Sequence, residues 1–230
     1  MNNLDTLIEN GLVVTENEIG HLNIGIKDGK IAYLGDENLN AEFKINASDL
    51  IVLPGGIDAH VHVDQPSGDD VIMADNFQSA TKSAAAGGNT TILPFAMQIK
   101  GQSLRKCVED YHKKAQGNMY IDTSFHLIIS DPTPQVLGQE LPALSKDGYT
   151  SFKVFMTYDD LVLNDKELIE VFDVAKQLKT LVMVHAEGYD SIKYLSDKFE
   201  KEGKTAPYYH APTRPQIVER EATHLSLIHI

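Results

Sequence analysis

The chain has 230 residues, of which 42% are hydrophobic, and a formal net charge of −13 at pH 7. This size is typical of a globular protein with one large domain, or with a small domain and part of a larger one. The negative charge argues against nucleic acid and anionic membranes as partners, and no apolar run approaches the ~20 residues of a membrane span.

Cysteine content and the first residues predict the compartment. The single cysteine, Cys107, excludes an internal disulfide and is typical of a reducing environment. The opening residues lack the basic and apolar regions of a signal peptide. We therefore expect a cytoplasmic protein whose partner is a small molecule.

Residues 1–52 are predicted to form a small all-β unit. Short apolar runs alternate there with turn residues, and Asp28-Gly29 separates two of the runs. Asp-Gly between alternating apolar runs indicates a β-hairpin. By the same reasoning, Glu9-Asn10-Gly11 predicts a turn between strands at 6–8 and 12–14.

After Leu53 the pattern changes to strands that alternate with helices. A first strand leads to two histidines, and further strands are predicted at 90–93, 123–129, 151–157 and 181–185. Helices are predicted at 77–86, 104–115, 136–144, 165–178 and 192–203. Asp75 and Ser103 are the predicted N-caps of the first two helices, and Asn164 with Glu167 forms a predicted capping box.

Five strands alternating with helices predict a parallel sheet, either doubly wound or closed into a (β/α)8 barrel. No Gly-x-Gly-x-x-Gly follows the first strand, which disfavours a dinucleotide-binding fold. Polar residues gather at the C-terminal ends of the strands, where barrel enzymes keep their active sites. We therefore predict an α/β fold that is part of a TIM barrel, about five of its eight βα units.

His60 and His62 are the first candidate site residues. Alternate side chains on a strand share a face, with Cα atoms roughly 6.5 Å apart, so two imidazoles could bind one cation. Imidazole is a common protein ligand for zinc and similar metals. A bare His-x-His is more often a pair of histidines on a half-buried strand, so other residues must decide between the two interpretations.

Lys153 and His185 supply that further information. Lys153 lies in an apolar strand, where an ammonium group is costly to bury unless it is neutralised. It is either a core lysine paired with a carboxylate, or a lysine of lowered pKa that adds carbon dioxide and becomes a metal-bridging carbamate; spacing leaves both open. His185 brings a third imidazole to the same end of the barrel, and ligands from separate strand ends are typical of metal sites in barrels.

Several segments resemble the dihydropyrimidinase/hydantoinase branch of the amidohydrolase superfamily, and the similarity extends over residues 4–224. The matching segments are Pro54–His62, Ala85–Thr91, Ser151–Tyr158, Val184–Glu187 and Gly203–His224. The resemblance implies a TIM barrel of the metal-dependent hydrolase type at 53–230, preceded at 1–52 by part of a small β-sandwich domain.

The resemblance also implies the site. His60 and His62 would bind one of two divalent metal ions, expected to be zinc, and His185 would bind the other. Carbamylated Lys153 would bridge the two ions, and a metal-bridging hydroxide would attack the ring amide. The hydroxyl of Tyr158 would stabilise the oxyanion that develops. No residues that bind any other cofactor are expected.

The implied activity is hydrolysis of the cyclic amide bond of dihydropyrimidines or 5-substituted hydantoins to N-carbamoyl amino acids. The partner would be a small cyclic amide or ureide, and the assembly a homotetramer. Loops at 64–74, 95–100 and 158–163 resemble those that shape the pocket for the exocyclic substituent. His126, placed at the end of the third strand, could support the metal ligands from behind, but a satisfied core histidine is the favoured interpretation.

Two other kinds of function stay open. Allantoinase and dihydroorotase share the ligand set with the hydantoinases and differ from them in pocket residues. A non-catalytic dihydropyrimidinase-like assembly protein is the alternative from a different class. It is disfavoured because such relatives lose metal ligands, whereas all four candidate ligands are present in this chain.

Two expected family ligands have no match, namely a histidine at strand six and an aspartate after strand eight. His229 could be the strand-six ligand only if a whole helix were deleted, so residues 225–230 are expected to be a tail unrelated to the family. We therefore expect the N-terminal portion of a longer enzyme. Its first and fifth barrel strands would be sheet edges, and alone it would be poorly soluble and inactive.

Overall fold

A computed structural model of the chain describes residues 4–67 and 71–228. The chain divides into two compact units, Met1–Gly56 and Ile57–Ile230. Within the described residues, no helix is long and apolar enough to cross a membrane. Residues 68–70 of the first predicted pocket loop, and the alternative ligand His229, lie outside the described residues.

The first unit is a single five-stranded sheet. Its strands are β1 (Leu4–Val14), β2 (Ile19–Lys27), β3 (Lys30–Gly35), β4 (Ala41–Asn46) and β5 (Ile51–Val52). The strand order is β3-β2-β1-β4, and β5 also pairs with β1. β1 is antiparallel to β2 but parallel to β4 and β5, so it organises the unit.

One of the two turns predicted in this unit is confirmed and the other is wrong. Asp28 and Gly29 have φ angles of 51° and 70° and connect the antiparallel strands β2 and β3, as a tight hairpin turn requires. By contrast, β1 continues through Asn10 and Gly11 with an irregular register between Ile8 and Gly11. Asn10 takes a φ of 69°, so the chain forms a bulge in one strand where the sequence predicted a turn.

The second unit alternates strands and helices. Its strands are β6 (Gly56–Val61), β7 (Asn89–Met97), β8 (Asp122–Thr123), β9 (His126–Ile128), β10 (Ser151–Phe155) and β11 (Leu181–His185). The order is β11-β10-β9-β7-β6, with β8 beside β7, and the registers from β7 to β11 are parallel. This partial barrel confirms the predicted fold. Within the described residues, β6 and β11 are the edge strands of the sheet.

Five of the helical segments described in this unit follow the strands as predicted, whereas the two after residue 203 were not predicted. The α-helices are α1 (Phe77–Ala86), α2 (Leu104–Ala115), α3 (Leu141–Lys146), α4 (Asp165–Leu178), α5 (Tyr189–Lys201) and α6 (Gln216–Ser226). A π-helical turn at Val136–Glu140 precedes α3, and a 3-10 helix at Pro207–Thr213 precedes α6.

Helix caps show how closely the sequence predicts helix boundaries. Ser103 caps α2, and Asn164 with Glu167 forms the capping box of α4, as predicted. The prediction for α1 was wrong by one residue, because Asn76 rather than Asp75 accepts the hydrogen bond from the Ser79 amide. Asn and Asp are about equally good caps, so composition alone could not choose between neighbours.

A buried carboxylate adds a second cap to α2. Glu140 is 7% exposed, and its Oε2 accepts hydrogen bonds from the backbone amides of Leu104 at 2.6 Å and Arg105 at 3.3 Å. Its other oxygen accepts from the Gln135 side chain at 2.8 Å. Since the first amides of a helix have no partner within the helix, Glu140 joins α2 to the π-helical turn.

We expect Glu140→Ala to lower the free energy of unfolding by about 2 kcal/mol, because the first amides of α2 lose a charged acceptor. Urea denaturation followed by circular dichroism measures the change. Gln139→Ala, at an exposed neighbouring position, is the control and should leave stability unchanged. Equal stability of the two variants would show that the buried carboxylate does not stabilise the helix.

Candidate metal centre

The half-barrel sheet has a helix-covered face and an inner face. On β10, Phe152 and Val154 pack in the larger core with the helices, whereas Phe155 packs in a small separate cluster with Phe95 and Ile128. Because side chains alternate along a strand, Lys153 lies on the inner face with Phe155. The same alternation places on the inner face the four imidazoles of His60, His62, His126 and His185, since residues beside each of them pack in the larger core.

His60 and His62 lie together at the end of β6. Their ring centroids are 5.6 Å apart, and both rings contact Phe95, with centroid distances of 4.8 Å for His60 and 5.0 Å for His62. Burial, and after it the positive charge of Lys153, lowers the pKa of His60. The two imidazoles therefore share one small region of the inner face, and the Lys153 amine is near enough to influence it.

Gln65 orients the ring of His62. The Gln65 amide nitrogen donates to the Phe95 carbonyl at 3.1 Å, so its amide oxygen faces His62 Nδ1, 2.6 Å away. That oxygen can only accept, and Nδ1 must therefore carry the hydrogen. His62 Nε2 is left with its lone pair, as a metal ligand requires.

Lys153 is buried without a counter-charge. The residue is 8% exposed, and Nζ lies 5.1 Å from the ring centroid of Phe155 and 6.0 Å from that of Phe95. Over residues 4–67 and 71–228 its amine forms neither an ion pair nor a hydrogen bond, so the predicted alternative of a lysine paired with a carboxylate is not formed there. Burial lowers the pKa of Lys153, which favours the uncharged amine.

His185 and Tyr158 form a second group. The His185 ring stacks on Phe155 with centroids 5.7 Å apart, and its Nε2 lies 3.4 Å from the Tyr158 hydroxyl and 2.6 Å from Glu187 Oε2. Tyr158 has a φ of 75°, an unusual backbone conformation for a bulky residue. The amides of Leu161 and Val162 donate to its carbonyl at 3.0 Å and 2.8 Å and hold the turn.

The candidate ligands, three histidines and one lysine, are of the types that fit a divalent cation, although their side chains do not form a complete coordination site. In the described part of the chain, no three His, Cys, Asp or Glu side chains lie close enough together to hold a metal ion. His60 and His62 are adjacent, His185 belongs to the second group, and Lys153 contacts the phenyl rings of both groups. Imidazole nitrogens combined with one anionic bridge are a ligand set that zinc accepts.

His126 connects three strands beneath these groups. It is 6% exposed, its Nε2 donates to the Ala59 carbonyl at 2.8 Å, and its Nδ1 lies 2.5 Å from the Ser151 hydroxyl. Both ring nitrogens are thus bonded, which confirms the prediction of a satisfied core histidine. Ala59 directly precedes His60, so this imidazole also fixes the end of β6.

Two polar side chains that hydrogen-bond to the rings of candidate ligands were missed in the sequence. Gln65 follows His62 by three residues in a loop, and no sequence pattern predicts its contact with Phe95. Glu187 follows His185 by two residues, and this spacing puts both side chains on one face of an extended chain. That spacing could have identified Glu187 as a partner of His185.

A cavity of about 760 Å³ lies beside Tyr158. Parts of all three predicted pocket loops line it, among them Pro66, Ile99 and Leu161. The α5 side chains Ile192 and Lys193 also contribute to its wall. The cavity is bounded by apolar and charged groups, and Tyr158 is part of its lining.

We expect His126→Phe to lower the free energy of unfolding by about 1–3 kcal/mol. The phenyl ring fills a similar space, but the two hydrogen bonds of the imidazole are lost. Ser151→Ala removes only one of these bonds and should cost about half as much. Denaturant titration of both variants measures the difference. A His126→Phe variant as stable as the parent protein would contradict a role of this imidazole in joining the strands.

Comparison with known proteins gives a consistent result. The model of the amidohydrolase family matches residues 51–226. The chain is 47% identical over 221 residues to a D-hydantoinase of Rhizobium radiobacter, covering 96% of this chain and 48% of the relative. It is 34% identical over 226 residues to the dihydropyrimidinase of Rattus norvegicus, covering 94% of this chain and 43% of the relative.

Solved structures agree with these matches. A structure of D-hydantoinase superposes with a TM-score of 0.94 at 45% identity, covering 98% of this chain and 49% of that one. The crystal structure of dihydropyrimidinase from Brevibacillus agri gives a TM-score of 0.90 at 39% identity, covering 97% of this chain and 50% of that one. The chain spans about half the length of the curated relatives it matches.

Proposed function

The chain belongs to the amidohydrolase family, and on that premise we propose that the whole protein opens 5-substituted hydantoins and dihydropyrimidines to N-carbamoyl amino acids. One observation carries the proposal: four relatives named D-hydantoinase are between 38% and 48% identical to the chain. The imidazoles and the lysine on the inner face of the half-barrel support it.

We propose that His60 and His62 hold one divalent cation, that His185 holds a second, and that Lys153 bridges them as a carbamate. Members of the family generally use a binuclear divalent metal centre, and zinc suits imidazole ligands. The Lys153 amine, when uncharged, adds to the carbon of CO2 and releases one proton, which gives the anionic bridge. The bound cations supply water activation and polarise the scissile carbonyl.

Tyr158 is proposed to stabilise the oxyanion that develops on the ring carbonyl. Its ring contacts both Phe155 and His185, with centroid distances of 5.9 Å and 5.1 Å. A hydroxyl held in place before the reaction can donate to a developing negative charge without reorganisation. The cavity beside Tyr158 would then take the 5-substituent, and its wall includes the apolar side chains of Met97, Ile99 and Leu161.

Assembly and compartment stay predictions. The homotetramer implied by the family resemblance can be tested by light scattering of the whole protein. The cytoplasmic location is proposed from the presence of a single cysteine, Cys107, which is free and buried. Burial raises the pKa of that thiol to about 12, so the thiol stays protonated and unreactive.

The experiment that tests the function is turnover of a substrate panel by the whole protein loaded with zinc. We expect hydantoins or dihydrouracil to be opened, and allantoin and dihydroorotate to be poor substrates. Removal of the metal by a chelator should abolish turnover, and added zinc should restore it. Lys153→Ala should lose both turnover and bound zinc, because the bridging group is removed.

Lys176→Ala, at an exposed position on α4, is the matched control and should keep the zinc content and turnover of the parent protein. Preference for allantoin or dihydroorotate would reassign the substrate within the family. Zinc-independent turnover, or none with any of the four substrates, would contradict the proposed function.

We expect Tyr158→Phe to lower kcat by about 10²–10³-fold, the usual effect of removing one oxyanion donor. The substitution keeps the aromatic contacts of the ring, so zinc content should be unchanged. Tyr194→Phe, exposed on α5 at 67%, is the control. A kcat within about twofold of the parent value would exclude the hydroxyl from transition-state stabilisation.

A further inference from the structure

A carboxylate and a guanidinium lie behind His185 and have no role in the chemistry described so far. Glu187 Oε2 is 2.6 Å from His185 Nε2, and the Glu187 side chain is 19% exposed. Its other oxygen, Oε1, is 3.8 Å from Nε of Arg214, whose side chain is 26% exposed. The three groups therefore form a partly buried chain from imidazole to carboxylate to guanidinium.

The hydrogen bond to Glu187 determines which ring nitrogen of His185 carries the hydrogen. A carboxylate only accepts, so Nε2 must be the donor in this contact. In neutral imidazole the lone pair then resides on Nδ1, and in the described chain Nδ1 forms no hydrogen bond. The Tyr158 hydroxyl, at 3.4 Å from Nε2, is the more distant of the two partners.

Arg214 holds the carboxylate in this orientation. Its guanidinium also bonds to the Thr213 hydroxyl at 3.0 Å and to His210 Nδ1 at 3.2 Å. The side chain is thereby fixed at the end of the 3-10 helix, immediately before α6. With its charge partly balanced by Arg214, Glu187 is kept at the end of β11.

His62 and His185 are oriented in opposite ways. His62 donates from Nδ1 to the neutral amide oxygen of Gln65 at 2.6 Å, which leaves Nε2 as its free nitrogen. His185 donates from Nε2 to an anion, which leaves Nδ1. A carboxylate partner raises the basicity of the opposite nitrogen of an imidazole ligand more than a neutral partner does.

We propose that Glu187, held by Arg214, is a positioning residue that fixes His185 as an Nδ1 ligand and strengthens its binding to the second cation. The proposal rests on the proposed function, since it takes the second cation from it. Carboxylate partners of metal-ligating histidines typically contribute about 10–100-fold to metal affinity. Glu187 does not line the cavity beside Tyr158, whereas Arg214 does, so the role of Arg214 as the support of Glu187 is tested by zinc affinity and not by turnover.

The first measurement does not depend on metal or activity. In the metal-free whole protein, ¹⁵N NMR of histidine at alkaline pH reports the tautomer of His185, which is assigned from the spectrum of His185→Gln. We expect a ring protonated at Nε2 in the parent protein and a mixture of tautomers in Glu187→Ala. Glu187→Gln should keep the parent tautomer, because its amide oxygen can still accept the hydrogen bond.

The second measurement is calorimetric titration of the same proteins with Zn²⁺ alone. Glu187→Ala should weaken one of two zinc sites by about 10–100-fold and leave the other unchanged. Arg214→Lys should give a smaller loss at the same site, and Glu200→Gln, exposed on α5, should give none. Glu187→Gln preserves the shape of the side chain and its hydrogen bond to His185, so this variant should fold. Its zinc affinity at the weakened site should lie between those of the parent protein and Glu187→Ala.

An unchanged tautomer and unchanged zinc affinities in Glu187→Ala would overturn the positioning role. A loss spread equally over both sites would also overturn it, because it would indicate a general structural effect. Failure of the proposed function looks different. In that case the parent protein itself would bind no second zinc ion or open no cyclic amide, while the tautomer result would still hold.

Discussion

The burial of the Lys153 amine without a counter-charge is the constraint on which the site depends. An unpaired ammonium group that loses part of its hydration is unfavourable, and the amine of Lys153, a residue only 8% exposed, lies against two phenyl rings on the inner face of the sheet. In the proposed centre, converting the amine into an anion that two cations neutralise would remove that cost, which would give a reason for a lysine at this position. The surrounding imidazoles are the ligands that the proposal assigns to those cations.

Phe95 and Phe155 connect the two halves of the site. Phe95 contacts His60 and His62, Phe155 contacts His185, and the Lys153 amine lies over both phenyl rings. The two phenyl rings form an apolar surface that the candidate ligands share, while His60 and His62 themselves stay exposed. The small inner cluster thus joins these side chains to the packing of the sheet.

Much of this arrangement could be predicted because it follows from the period of a strand. Alternation alone puts Lys153 and the candidate histidines on the inner face, and parallel strands bring their C-terminal ends together. What escaped prediction depends on individual contacts. Asn10-Gly11 has the composition of a turn but forms a bulge, and the glycine is needed there because a Cβ on Gly11 would lie 2.7 Å from Val52 Cγ2 on the neighbouring strand. The partnership of Gln65 with His62 likewise requires knowing where Phe95 places its carbonyl.

The backbone conformation of Tyr158 has an evolutionary consequence. A left-handed conformation costs an ordinary residue roughly 1–2 kcal/mol, and here main-chain hydrogen bonds within the turn maintain it. The position from which the phenol projects is thus set by the main chain, and its ring is held by Phe155 and His185. In the proposed enzyme, mutations at Ile99 or Ile192 would therefore reshape the wall of the cavity beside Tyr158 and leave the left-handed turn that carries Tyr158 unchanged.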